Sequence, residues 1–280
     1  MSWNVTLSVF ADEIAREFAE QLDVLATAGL DQLDLRAAWG TNVLDLSDDQ
    51  ITEMQRLLGE RRMHVACIGS PIGKTSILDP FEEQVPRFRR ALEVAKRVGT
   101  TNIRIFSFYL PKGEPPSRYR DEVLRRMAAM AAIAAKEAPE VLLLHENERN
   151  IYGEQPAECA DIFNSVAASN LKAIFDPANF VQVKVRPFQD AFPVLAPQIA
   201  YMHIKDATWA EGRVTPAGQG DGQLREILSA LKRQGWEGVL ALEPHLAHAG
   251  RSSGWTGPEQ FQVAVDALNA LLRELNGKDE

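Results

Sequence analysis

The sequence predicts an α/β protein, a single (β/α)8 TIM barrel formed by residues 1–280 as one domain. Three observations carry that expectation. Short β-branched or leucine-rich runs alternate with longer segments of helical period, eight such pairs can be laid along the chain, and each pair takes about 35 residues, enough for one strand, one helix and their loops. The length alone also allows two average domains, but no Pro/Gly/Ser-rich linker divides the chain.

The strands are expected at residues 5–9, 32–36, 64–68, 102–106, 141–145, 172–175, 200–204 and 238–242, short β-branched or leucine-rich runs of strand length. The helices are expected at residues 13–28, 47–61, 81–98, 120–138, 156–168, 187–195, 222–234 and 258–275. Ser47 three residues before Gln50 has the form of a capping box, and Gly257-Pro258-Glu259 places proline and an acid at the opening of the last helix. Gly29, Gly99 and Gly235 follow helical periods, where glycine relieves the left-handed turn that ends a helix.

Composition narrows the function. With 45% hydrophobic and 25% charged residues the chain is an ordinary globular protein, and its net charge of −9 disfavours a phosphate backbone or an anionic membrane as partner. Met1-Ser2-Trp3-Asn4 does not open a secretion signal, and the small-apolar run 127–135 is too short to span a bilayer. Cys67 and Cys159 are expected as reduced, buried thiols, so the chain reads as a cytoplasmic protein.

In a closed parallel barrel every strand ends on one face, and chemistry gathers there. Glu146, Asp176, His203 and Glu243 each stand at or just past the end of an apolar run, spaced by about one βα unit, so four consecutive strands would deliver them to a common point. Any one of them alone is more simply a helix cap, an ion-pair partner or a satisfied core histidine. Together, three carboxylates and an imidazole form a hard donor set for one divalent cation, Mn²⁺ first, with Mg²⁺, Co²⁺ or Zn²⁺ as alternatives. Burying three acids around one pole is costly without a cation.

The stretches Leu142-Leu143-Leu144-His145-Glu146-Asn147, Phe175-Asp176-Pro177-Ala178-Asn179-Phe180, Tyr201-Met202-His203-Ile204-Lys205-Asp206-Ala207, Gly218-Gln219-Gly220-Asp221-Gly222 and Leu242-Glu243-Pro244-His245-Leu246 resemble the successive motifs of the sugar phosphate isomerase/epimerase family with the xylose-isomerase-like TIM barrel. The resemblance implies that Glu146, Asp176, His203 and Glu243 bind one divalent metal and that Glu146 and Glu243 also face the reacting carbons. It implies activities of the inosose isomerase and dehydratase, keto-sugar epimerase, hydroxypyruvate isomerase or keto-glycoside kind. The chain departs from the ketose 3-epimerase pattern at Asn179, where many members carry His, at Lys205-Asp206, where an Arg is common, and at Gln219 in the glycine loop. The Ser70-Pro71-Ile72-Gly73-Lys74 loop and His245 resemble more the keto-glycoside or inosose branch.

The expected reaction is proton abstraction next to a metal-chelated carbonyl through an enediolate, with Glu146 and Glu243 as catalytic base and acid. His245, Lys205, Asn179, Ser70 and Trp39 are the candidate substrate contacts; Lys205 could equally be a surface lysine paired with Asp206, and Trp39 a core residue. His145 points away from Glu146 by strand alternation and is expected to be structural, and His64 and His248 receive no role. The glycine loop carries no phosphate requirement, because Asp221 opposes an anion. A dehydratase is the rival on the same site, an endonuclease IV-like repair enzyme a remoter one given five histidines in all, and a metal-bearing binding protein a third. The expected partner is a small-molecule carbohydrate, with no nucleic acid and no membrane, and a homodimer is the expected assembly if there is one.

Overall fold

In the computed structural model, which describes residues 3–246 and 256–277, eight parallel strands follow one another around a barrel: β1 (Thr6–Val9), β2 (Gln32–Leu35), β3 (His64–Ile68), β4 (Asn102–Ile105), β5 (Leu142–Glu146), β6 (Leu171–Phe175), β7 (Ile199–Ile204) and β8 (Val239–Leu242). The hydrogen-bonded order runs from β1 through β8 and back down to β2. The seam between β1 and β2 is closed by one parallel bridge, Phe10 to Asp34, and by the Ser8 hydroxyl donating to the Asp34 carboxylate. These strands fall within a residue of the expected ones, because most are rich in leucine, isoleucine or valine between polar helical segments.

The helices pack outside: α1 (Phe18–Thr27), α2 (Asp48–Arg61), α3 (Val85–Val98), α4 (Arg120–Glu137), α5 (Pro156–Val166), α6 (Pro177–Gln182), α7 (Phe192–Leu195), α8 (Leu224–Arg233) and α9 (Pro258–Gly277). The α2 capping box forms as expected: Ser47 Oγ accepts from the Gln50 amide at 3.2 Å while Gln50 Oε1 accepts from the Ser47 amide at 2.9 Å. Gly29, Gly99 and Gly235 all take positive φ. No helix among the described residues is long and apolar enough to cross a membrane.

Three local departures have physical causes. The first helix starts at Phe18 rather than Glu13, because residues 11–13 form a separate tight turn in which Glu13 is buried and bonded to the chain beyond β8. The segment 187–195 is a wide turn followed by a single α turn, since Pro193 has no N–H to donate. Between β6 and that segment lies the unexpected α6, capped by Asp176 and opened by Pro177.

Candidate active site

Inside the barrel, side chains alternate along each strand, and the positions two residues before the expected ligands are apolar. Leu144, Ile174, Tyr201 and Ala241, with Phe10 and Cys67, form a buried cluster across the barrel interior. Glu146, Asp176, His203 and Glu243 share that inward register one step nearer the C-terminal ends of the strands, so this cluster is their floor. All four are buried.

The four ligand atoms lie within 4.8 Å of one another. His203 Nδ1 sits 3.3 Å from Glu146 Oε1, 3.5 Å from Glu243 Oε2 and 3.9 Å from Asp176 Oδ2. The opposite oxygen of each carboxylate has a separate partner. Arg104 Nη1 donates to Glu146 Oε2 at 3.1 Å, the Asn179 amide to Asp176 Oδ1 at 2.9 Å, and Arg36 Nη1 to Glu243 Oε1 at 3.1 Å. Each acid is thus held by its far oxygen and turned so that its near oxygen faces the imidazole. His203 is fully buried, and among the described residues neither ring nitrogen has a well-aligned hydrogen bond. A buried imidazole nitrogen facing three carboxylate oxygens is a donor set that fits a divalent cation.

The electrostatics follow from burial and counter-charge. Burial pushes the Glu146 carboxyl up, but His203 and Arg104 outweigh it and hold Glu146 at about 2. Glu243 is likewise held well below the usual carboxylate range, burial being overcome by Lys205 and His245. Asp176 goes the other way: burial, with Glu146 and Glu243 alongside, exceeds the pull of Lys205 and raises it. Burial opposes the charged form of His245, yet Glu243 and Glu13 raise it to about 9.

Residues 22–271 match the family model for the xylose isomerase-like TIM barrel. The chain belongs to that family. No curated protein matches it by sequence. By fold this xylose isomerase-like barrel is similar to a D-tagatose 3-epimerase-like protein, with TM-score 0.77, 16% identity, and 98% of this chain and 100% of that one covered. It is similar to the IOLI protein with a bound zinc atom, at TM-score 0.77 and 15% identity over 96% and 99% of the two chains. A probable 3-DHS dehydratase, AsbF of Bacillus anthracis, superposes with TM-score 0.74 and 16% identity over 95% and 98%.

The remaining expected residues of this xylose isomerase-like barrel divide by what they touch. Lys205, almost fully buried, pairs with Asp176 Oδ2 at 2.7 Å and Glu243 Oε2 at 3.0 Å and not with Asp206. Asp206 instead accepts from the amides of Gly218, Gly220 and Gly222, so the glycine loop wraps a carboxylate of its own chain. Asn179 donates its side-chain amide to Glu146 Oε1 at 3.1 Å, and His245 Nε2 lies 3.3 Å from Glu243 Oε1 and 3.0 Å from Glu13 Oε1. The Ser70 hydroxyl is buried and donates to the Arg104 carbonyl, and the Trp39 ring packs on Phe18 at 5.4 Å. His145 bonds Ser107 Oγ at 2.8 Å and faces Phe163, outside the barrel interior; His64 is exposed, and His248 lies outside the described residues.

Sequence reasoning missed Arg36, Arg104, Glu13 and the positioning part of Asn147. Arg104 also donates to the Gly69 carbonyl at 3.1 Å and lies over the Phe10 and Phe106 rings. Asn147 exchanges two hydrogen bonds of 2.9 Å with the backbone of Asp176 and so ties the ends of β5 and β6 together. Arg104 had a signal, an arginine between isoleucines in a buried strand. Glu13 and Arg36 had none, being an acid at the opening of an expected helix and an arginine at the end of an expected strand.

Proposed function

We propose that this chain is a divalent-metal-dependent isomerase or epimerase of a keto-sugar, inosose or keto-glycoside. The observation that supports the reading most is the convergence of three near carboxylate oxygens on His203 Nδ1, at the ends of barrel strands. Glu146, Asp176, His203 and Glu243 are the residues that would hold the ion, with Mn²⁺ the first choice. When bound, the cation supplies Lewis-acid polarisation of a carbonyl and its neighbouring hydroxyl.

Glu146 and Glu243 supply the proton chemistry. One carboxylate takes the proton from the carbon beside the carbonyl, the electron pair moves toward the carbonyl oxygen, and a proton returns at the neighbouring carbon or on the opposite face. Both carboxyls are held below the usual range and are therefore ionised at neutral pH. Lys205 and His245 are the donors available to substrate oxygens, and Asn179 keeps Glu146 in orientation. The apolar floor beneath excludes water from below. In this reading the enzyme acts on a carbohydrate in the cytoplasm as one domain, nucleic acid and membranes are not its partners, and a homodimer is the assembly to look for.

A dehydratase is the second reading. His245, held protonated at neutral pH beside Glu243, is the kind of acid that a departing β-hydroxyl requires.

Metal analysis of chelator-treated and reloaded protein, followed by NMR of keto-sugars, inososes and keto-glycosides in D₂O, tests both. One ion per chain, weakened in Glu146→Gln and Glu243→Gln, together with solvent deuterium at a carbon centre, is the expected result. Deuterium without loss of water identifies the isomerase; an unsaturated product identifies the lyase. Folded protein that binds no divalent cation refutes the mechanism.

A further inference from the structure

The far and near oxygens of the ligand carboxylates are treated differently by the protein, and Lys205 stands on the near side. Arg104 and Arg36 hold far oxygens through guanidinium groups anchored elsewhere, Arg104 at the Gly69 carbonyl and Arg36 at Asp12. Lys205 Nζ instead sits on Asp176 Oδ2 and Glu243 Oε2, the same two oxygens that face His203 Nδ1. An ammonium on a flexible four-carbon stem can leave such a position, whereas a forked guanidinium held at both ends cannot do so cheaply.

We propose that Lys205 is an internal counter-cation of the metal centre. In the metal-free protein it neutralises the near oxygens of Asp176 and Glu243 and keeps the two carboxylates from repelling one another. An arriving divalent ion must share or take those oxygens, so Lys205 lowers the affinity for metal while preserving the shape of the centre. The inference rests on the reading above that the four residues hold a cation.

The sign of one change separates this role from a scaffolding one. Removing a like charge at this range is expected to tighten binding by at least about tenfold, whereas loss of a mere scaffold weakens it. Mn²⁺ affinity of the full chain would be measured by calorimetry for wild type, Lys205→Met and Lys205→Gln, with the thermal midpoint of each metal-free protein. Tighter Mn²⁺ binding in both variants, with a lower metal-free midpoint, is the expected result. Binding that is unchanged or weaker, with wild type still taking up Mn²⁺, overturns the role of Lys205 and leaves the metal centre standing. Absence of binding in all three chains overturns the metal centre and this inference together. Should the variants not fold, ¹⁵N-lysine spectra of wild type decide the matter: diamagnetic Zn²⁺ should shift the Lys205 ammonium signal, and an unmoved signal overturns the proposal.

Discussion

Arg104 shows how a buried cation organises an acidic site. Its guanidinium ties Glu146 to the Gly69 carbonyl and lies 5.1 Å from the centres of two aromatic rings. Replacing it by methionine strips Glu146 Oε2 of its buried cation and leaves only His203 and Asn179 beside the other oxygen, so Arg104→Met is expected to lower stability by about 3 kcal/mol in urea unfolding. Arg104→Lys should recover only part of this, because one ammonium lacks the fork that reaches both partners. Gly220 is a second residue whose identity is dictated locally. A Cβ there would meet Asp206 Oδ1 at 2.4 Å and the Ala207 backbone at 2.7 Å, so Gly220→Ala must push the glycine loop off the Asp206 carboxylate. A loss of about 1–3 kcal/mol is expected, against a gain of about 0.5–1 kcal/mol for Gly59→Ala inside α2, where a Cβ meets nothing within 4 Å.

At the scale of elements, the outer helices are held by charge as well as by apolar packing. Glu122 on α4 is held at about 2, chiefly by its hydrogen bond to Arg125 against the opposing effect of burial, with Arg126 adding to it. A depressed carboxyl stabilises the fold fully above its unfolded value of 4.5 and loses that contribution as pH falls toward about 2. Glu122→Gln should therefore flatten the fall in urea midpoint between those two pH values and cost less at pH 3, where wild type has already lost part of the effect, than at pH 7. The pair is partly exposed, so the difference is expected to be small and to shrink with salt. The capping box of α2 makes a simpler case: Ser47→Ala removes one of two reciprocal bonds and should lower stability by about 1 kcal/mol, read as a shift in urea midpoint.

For the molecule as a whole, the barrel is a device for bringing distant carboxylates to one point, and the proposed metal would couple that point to global stability. At a free Mn²⁺ concentration a hundred times its dissociation constant, ligand linkage adds about 2.7 kcal/mol to unfolding. A calorimetric midpoint raised by several degrees in wild type and unmoved in Glu146→Gln is the expected outcome; equal shifts in both would place the ion elsewhere. The seam between β1 and β2 is the thinnest part of the wall, closed by the Phe10–Asp34 bridge and the Ser8–Asp34 hydrogen bond. Asp34 also accepts from Tyr201 across the barrel interior.

The alternation of apolar runs and helical periods was enough to read the eight strands, because burial on both faces writes a strand directly into composition, as in Leu142-Leu143-Leu144. The same spacing brought out Glu146, Asp176, His203 and Glu243, since the end of a strand is visible where hydrophobicity stops, and the geometry brings those four together. What lies between strand ends was not legible. The partners of each carboxylate come from loops and strands far apart in the chain, and no local pattern records that Glu13 reaches His245 and Thr256, that Arg36 reaches Glu243, or that Lys205 chooses Asp176 over its neighbour Asp206. Periodicity is a property of neighbours in sequence and reports which face a residue occupies; ion pairing depends on distances through space, and those arise only once the barrel has closed.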